Sequence, residues 1–173
     1  MKKLFLVVAF FTSLTIQNSF AQLVPSQRED STKANQFTTL LNAYYGIKNA
    51  LVSSDATFAA SKASELVKAI DAVNMKTLSA TGHSAFMAAQ DKLKADAQTI
   101  AASNKIEAQR TTFSTLSNNI YTLAKAARLS TEAVYQQYCP MKKMYWLSSE
   151  AAIKNPYYGK AMLTCGKVTE TIK

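Results

Sequence analysis

QFTTLLNAYYGIKNAL, residues 36–51, carries Phe37, Leu40, Leu41, Tyr44, Ile47 and Leu51 at intervals of three and four. That spacing gathers all six on one face of a helix and scatters them over both faces of a strand. Ser31 is the expected cap of this helix, and Ser53-Ser54 its expected end. The same period recurs downstream. Asp55 can cap a second helix with Ala59, Ala63, Leu66, Ile70 and Val73 on one side, running out near Asn74. Thr81-Gly82-His83-Ser84 reads as a connection, with Ser84 capping a third helix that turns Phe86, Ala89, Leu93, Ala97 and Ile100 inward. Ser103-Asn104 is the next break. Asn104 followed by Glu107 resembles a capping box for a fourth helix carrying Ile106, Phe113, Leu116, Ile120, Leu123 and Ala127.

Proline would interrupt such helices, and none occurs between Pro25 and Pro140. The expected fold is therefore all-α: an up-and-down bundle of about four helices joined by short links. Beyond Ser130 the pattern changes. Pro140, Pro156, Gly159 and Gly166 arrive with Tyr135, Tyr138, Tyr145, Trp146, Tyr157 and Tyr158. This segment reads as an irregular aromatic-rich C-terminal cap, with room for a short hairpin and a short helix over 149–153. Asn155-Pro156-Tyr157-Tyr158-Gly159 places proline where a turn uses its fixed φ.

At the other end, Lys2 and Lys3 precede the apolar run Leu4 to Ile16, and Ser19-Phe20-Ala21 offers small residues to a signal peptidase. Residues 1–21 thus read as a cleavable signal peptide, with 22–35 a polar leader and 36–173 one domain. The apolar run is shorter than the roughly 20 residues a spanning helix needs, so no integral membrane span is expected in the mature chain. Removing the first 21 of 173 residues leaves 152, enough for a single domain with a core. The expected location is periplasmic or secreted.

The formal charge is +9, or +7 without Lys2 and Lys3. The excess sits in the tail: residues 125–173 hold 8 basic and 3 acidic groups. These lysines are scattered rather than clustered, and export removes the usual nucleic-acid partners, so no nucleic-acid role is expected.

Cys139 and Cys165 are the two cysteines, and Met141 and Met162 stand two and three residues from them. If the chain folds back at Asn155-Pro156, two thiols and two thioethers converge, a donor set that prefers Cu(I) or a similar thiophilic ion. Lys142 and Lys143 would favour the thiolates, and Met144 is a spare thioether. The competing reading is a Cys139–Cys165 disulfide across 25 intervening residues, contributing about 3 to 3.5 kcal/mol by loop entropy. Both readings need the two cysteines close together.

Tyr138-Cys139-Pro140-Met141, Tyr145-Trp146-Leu147-Ser148, Ile153-Lys154-Asn155-Pro156-Tyr157-Tyr158-Gly159 and Met162-Leu163-Thr164-Cys165-Gly166 resemble the signature of an uncharacterised exported bacterial domain, domain of unknown function 3347. The resemblance extends over about residues 36–173. It implies a stand-alone exported protein, or one associated with periplasmic adaptor components of heavy-metal efflux, and hence copper or another soft metal as ligand. Cys139, Met141, Met162 and Cys165 are then the metal-site residues. Tyr138, Pro140, Trp146, Asn155, Pro156, Tyr157, Tyr158, Gly159 and Gly166 are motif and packing positions. The link from Cys-Pro-Met to Trp146 is shorter here than in many relatives.

Catalytic constellations are missing from the sequence. His83 is the single histidine and reads as a solvated connector residue. Glu65, Asp71, Asp91, Asp96 and Glu107 fall on outer helix faces, and there is no Gly-rich phosphate loop. The expectation is a non-enzymatic protein: a soft-metal (copper) binding or handling protein, or a structural module whose disulfide-linked, aromatic, basic tail docks on a partner protein.

Overall fold

A computed structural model of the chain describes residues 26–173, with side chains described from Gln36 onward. The expected signal peptide and the leader residues 22–25 lie outside the described residues. Four helices follow one another: α1 (Ser26–Ser53), α2 (Ala56–Asp71), α3 (Ala80–Ala101) and α4 (Ile106–Ala127). Each packs against its sequence neighbours, α1 on α2, α2 on α3 and α3 on α4. The residues of the four apolar stripes form the core, with Leu40, Tyr44, Ile47, Leu51, Leu66, Leu93, Ile100, Phe113, Leu116 and Ile120 wholly buried.

Local chemistry sets the helix ends, in places differently from the sequence expectation. Helix α1 begins at Ser26, five residues before Ser31. At α2, Asp55 accepts a hydrogen bond from Phe58 N at 2.8 Å and satisfies an otherwise orphaned amide, as expected. Helix α3 starts at Ala80, so Thr81–Ser84 form its first turn rather than a connection. Ser79 is its cap, accepting from Gly82 N at 3.1 Å. The link before it, 72–79, holds a single 3-10 turn over Met75–Thr77. Helix α4 is preceded by Lys105 without a side-chain cap, and Glu107 reaches forward to Arg110 instead of back to Asn104.

The all-α expectation fails at the C-terminal end, where three antiparallel strands form a sheet: β1 (Val134–Cys139), β2 (Met144–Ser148) and β3 (Lys167–Ile172), in the order β2-β1-β3. Strand β3 carries four β-branched residues, Val168, Thr169, Thr171 and Ile172, which suit a pleated surface better than a helix. The hairpin register pairs Gln137 with Trp146, Tyr138 with Tyr145 and Cys139 with Met144. On the other side, β1 pairs Tyr138 with Lys167, with a register shift at Gln136/Gln137. No helix forms over 149–153; that stretch bends, and its carbonyls at Glu150, Ala151 and Ala152 accept from the Gln137 side chain of β1.

Buried polar groups fasten this sheet to the bundle. Tyr44 of α1 stacks on Phe113 of α4 with ring centroids 5.1 Å apart. Its hydroxyl lies 2.8 Å from Ser117 Oγ and accepts from Leu147 N at 2.9 Å. One turn later Lys48, only 3% exposed, donates to Ser148 Oγ at 3.4 Å. Arg110 of α4 donates to Pro156 O at 2.9 Å, to Leu51 O at 3.1 Å and to Ser54 Oγ at 2.9 Å. One guanidinium thus joins α4, the end of α1 and the 155–159 turn. Within the bundle, Gln109 donates to Ala56 O, Ile100 O and Ser103 O, tying the start of α2 to the end of α3.

Candidate functional site

Sheet register brings the cysteines together. Cys139 closes β1 and is wholly buried. Because Tyr138 faces Lys167 across the ladder, the residues just before β3 pass alongside Cys139. Cys165 arrives there half-buried, one residue short of the position that faces Cys139. Both are free thiols. Burial pushes the Cys165 thiol above its ordinary pKa, and the neighbouring Cys139 adds to the rise. At neutral pH it is a thiol, and a cation must displace its proton to bind.

Asn155 fixes the approach of Cys165. Wholly buried, it donates through Nδ2 to Cys165 O at 2.7 Å and through its backbone N to Leu163 O at 2.8 Å. Its Oδ1 accepts from Tyr157 N at 2.8 Å and Tyr158 N at 3.3 Å, while its carbonyl accepts from Gly159 N at 3.0 Å. The expected turn at Asn155-Pro156 is therefore present, held by the asparagine side chain. Gly159 closes it at φ +57, packed so tightly that a Cβ there would meet Ser54 Oγ at 2.8 Å and Arg110 Nη2 at 2.9 Å. Only glycine takes that conformation at so little cost.

The remaining motif residues build the walls. Trp146 and Tyr157 meet edge to face at 5.9 Å, and the Tyr157 hydroxyl donates to Tyr145 O at 2.5 Å. Burial raises the Tyr157 phenol well above its ordinary range. Gly166 lies against Trp146 and the carbonyl of Tyr138, where a Cβ would approach to 2.9 and 3.0 Å. Tyr138 packs on Tyr145 at 4.6 Å, Lys142 sits over the Tyr158 ring at 5.2 Å, and Pro140 opens the exposed hairpin turn that ends with Lys143 at φ 55.

The methionines divide. Met141 lies in that turn and is 63% exposed; Met162, whose carbonyl accepts from Cys165 N at 3.1 Å, is 37% exposed. Met144 instead stands directly opposite Cys139 in the ladder and packs against the core. One rung further along the same face, Gln137 and Trp146 oppose each other. Gln137 donates to the carbonyls of Glu150, Ala151 and Ala152. Its Oε1 and the indole Nε1 of Trp146 are buried without a hydrogen-bond partner among the described residues. Lys142, Lys143, Lys160 and Lys167 are exposed around this end of the sheet, and none makes an ion pair among the described residues.

Among the described residues no group of three or more His, Cys, Asp or Glu side chains comes together. The soft donors available near the two thiols are then the methionine sulfurs. His83 is exposed in the first turn of α3. Asp96 is half-buried, accepting from Asn119 at 2.8 Å, and burial raises its carboxyl above the usual range. An open polar cleft of about 580 Å³ lies beside Glu170–Lys173, the end of β3 away from the cysteines, with Lys125, Arg128 and Glu170 among its walls. No described helix is long and apolar enough to cross a membrane.

A sequence model of DUF3347, a family of proteins of unknown function, matches residues 40–132, more than half of the 173-residue chain. The chain belongs to that family. The DUF3347 match covers most of the helical bundle and stops just before β1, so the sheet and its cysteines lie outside the matched span. No curated protein and no solved structure matches the chain.

Sequence reading passed over five buried polar residues: Lys48, Gln109, Arg110, Ser117 and Gln137. Their signal was present. Lys48 continues the stripe from Tyr44 to Leu51, and Arg110 and Ser117 interleave with Ile106, Phe113 and Ile120 at helical spacing. A polar residue on an apolar face marks either an error in the pattern or a buried hydrogen-bonding task.

Proposed function

We propose that this DUF3347 protein is an exported, non-enzymatic soft-metal binding or handling protein, with Cu(I) as the favoured cargo and Cys139 and Cys165 as the primary ligands. The observation that carries the reading is the sheet register that runs the chain at Cys165 alongside Cys139, across 25 intervening residues. Two adjacent sulfurs beside methionine thioethers form a donor set that selects thiophilic ions over Mg(II) or Ca(II). Exposed Met141 and Met162 flank the pair and suit an entry path from solvent or from a periplasmic adaptor of a metal efflux system. Short links and packing between neighbouring helices support an up-and-down bundle as the scaffold.

The same juxtaposition supports a second reading. A wholly buried Cys139 and a Cys165 held above its ordinary pKa suit a structural disulfide that pins β3, leaving the aromatic, basic tail to dock on a partner protein. Mass spectrometry of protein isolated without reductant, followed by anaerobic Cu(I) titration of the same sample, separates the two. Stoichiometric copper uptake that is abolished by Cys139→Ser supports the metal reading. A chain two hydrogen masses light that takes up no copper, even after reduction, sinks it.

A further inference from the structure

A monovalent soft cation accepts two or three sulfur donors, and the hairpin register places a third beside the pair. Cys139 and Met144 are direct cross-strand partners, so their Cβ atoms lie about 4.5–5.5 Å apart on one face of the sheet. Met144 is already packed against the core, so holding its thioether costs little further ordering. Met141 and Met162, at 63% and 37% exposure, must give up more rotamer freedom to do the same.

Charge favours a thioether in third place. A monovalent ion on two thiolates already leaves one negative charge at a site with a wholly buried ligand, and a neutral sulfur adds a bond without adding to it. Lys142 and Lys143 in the turn after Cys139, and Lys167 opposite Tyr138, bring positive charge to this end of the sheet. On the same face, Trp146 stands diagonal to Cys139 and carries a buried indole N–H without an acceptor, the kind of group that a newly formed thiolate satisfies.

Resting on the soft-metal reading above, we propose that Cys139, Cys165 and Met144 form a three-sulfur site for a monovalent soft cation, with Met141 and Met162 outside the bound geometry. Binding releases two thiol protons to solvent, forms three metal–sulfur bonds and involves no oxidation or reduction.

The test uses the reduced full mature chain under anaerobic conditions, with Cu(I) as probe, titrated against a chromophoric chelator and measured by X-ray absorption. The wild type is expected to take one Cu(I) with three sulfur neighbours. Met144→Leu, which keeps the volume, is expected to show two sulfurs and at least about tenfold weaker binding. Met141→Leu and Met162→Leu are expected to bind as the wild type does. Three sulfurs at unchanged affinity in Met144→Leu, or loss of a sulfur in either other variant, overturns the assignment while leaving the dithiol site standing. Failure of the wild type to bind Cu(I) removes both. A selenomethionine-labelled Met141→Leu/Met162→Leu chain keeps Met144 intact, so folding is not at issue: a selenium neighbour to copper is expected, and its absence overturns the proposal.

Discussion

Replacing Arg110 with methionine isolates what one guanidinium does for the junction between bundle and sheet. The substitution keeps an unbranched stem in the same space and removes four donated hydrogen bonds, to Pro156 O, Leu51 O, Ser54 Oγ and Glu107 Oε1. They are unequal in worth. Glu107 is 67% exposed in its side chain, so its ion pair counts for about 0–1 kcal/mol. Ser54 is exposed and can turn to water, and Leu51 O keeps the Ser54 amide at 3.1 Å. Most of the loss falls on Pro156 O and on part of the Leu51 contact, each a buried charge-assisted bond of about 1.5–3 kcal/mol. Less the desolvation of the guanidinium, the expected cost is about 2–4 kcal/mol, or a fall in Tm of about 4–16 °C for a chain of this size. Urea unfolding followed by far-UV circular dichroism, with reductant present, measures it. The urea dependence should keep its slope while the midpoint falls. Arg110→Lys should recover less than half, because one ammonium cannot span the same acceptors. A loss below about 0.5 kcal/mol, the range of an ordinary surface change, refutes the assignment of Arg110 as the junction.

Gly159→Ala should cost about 2–4 kcal/mol, since φ +57 is strained for alanine and its Cβ meets Ser54 Oγ and Arg110 Nη2. Combined with Arg110→Met its effect should be sub-additive in the same urea assay. Lys48→Met should stabilise the chain by about 1–2 kcal/mol near neutral pH, because a buried ammonium with one long hydrogen bond gives way to a packed thioether. Burial lowers the Lys48 pKa, with Glu150 opposing, so the folded state sheds that proton before the unfolded one does. The unfolded chain then binds more protons, and the gap between variant and wild type should narrow as pH rises toward the ordinary lysine value; a constant gap counts against it. Iodoacetamide should label native reduced protein slowly and through Cys165 first, with Cys139 reacting only in denaturant. Rapid labelling of both thiols in the native state contradicts the buried pair.

Apolar period was a faithful guide to the bundle because each helix buries one stripe and solvates the rest. It misplaced the start of α3 because Ser79 and Ser84 are both plausible caps, and Gly82 reads as a breaker, although it sits close to Ser79 Oγ in the first turn. The sheet was harder to see for a different reason. Strand β1 does not alternate apolar and polar residues, since Gln137 is buried by donating to three carbonyls and Cys139 by packing. Strand β3 is mostly exposed and short, so it carries little hydrophobic signal beyond its β-branched residues. The nearness of Cys139 to Cys165 was legible only as a requirement of either chemistry, and Asn155-Pro156 as a turn. Met144 was legible only as a spare thioether. Its place opposite Cys139 depends on a turn of four residues, Pro140–Lys143, whose length fixes the register.

Asn155 also bears on how the molecule ages. Asparagine decays when the backbone nitrogen of the following residue attacks its side-chain carbonyl, and here that residue is Pro156, which has no N–H to lose. The same side chain is held at both ends by hydrogen bonds. The residue that positions Cys165 is thus shielded from the commonest spontaneous lesion of its type, and its geometry should outlast that of more exposed asparagines such as Asn42, Asn49 and Asn104.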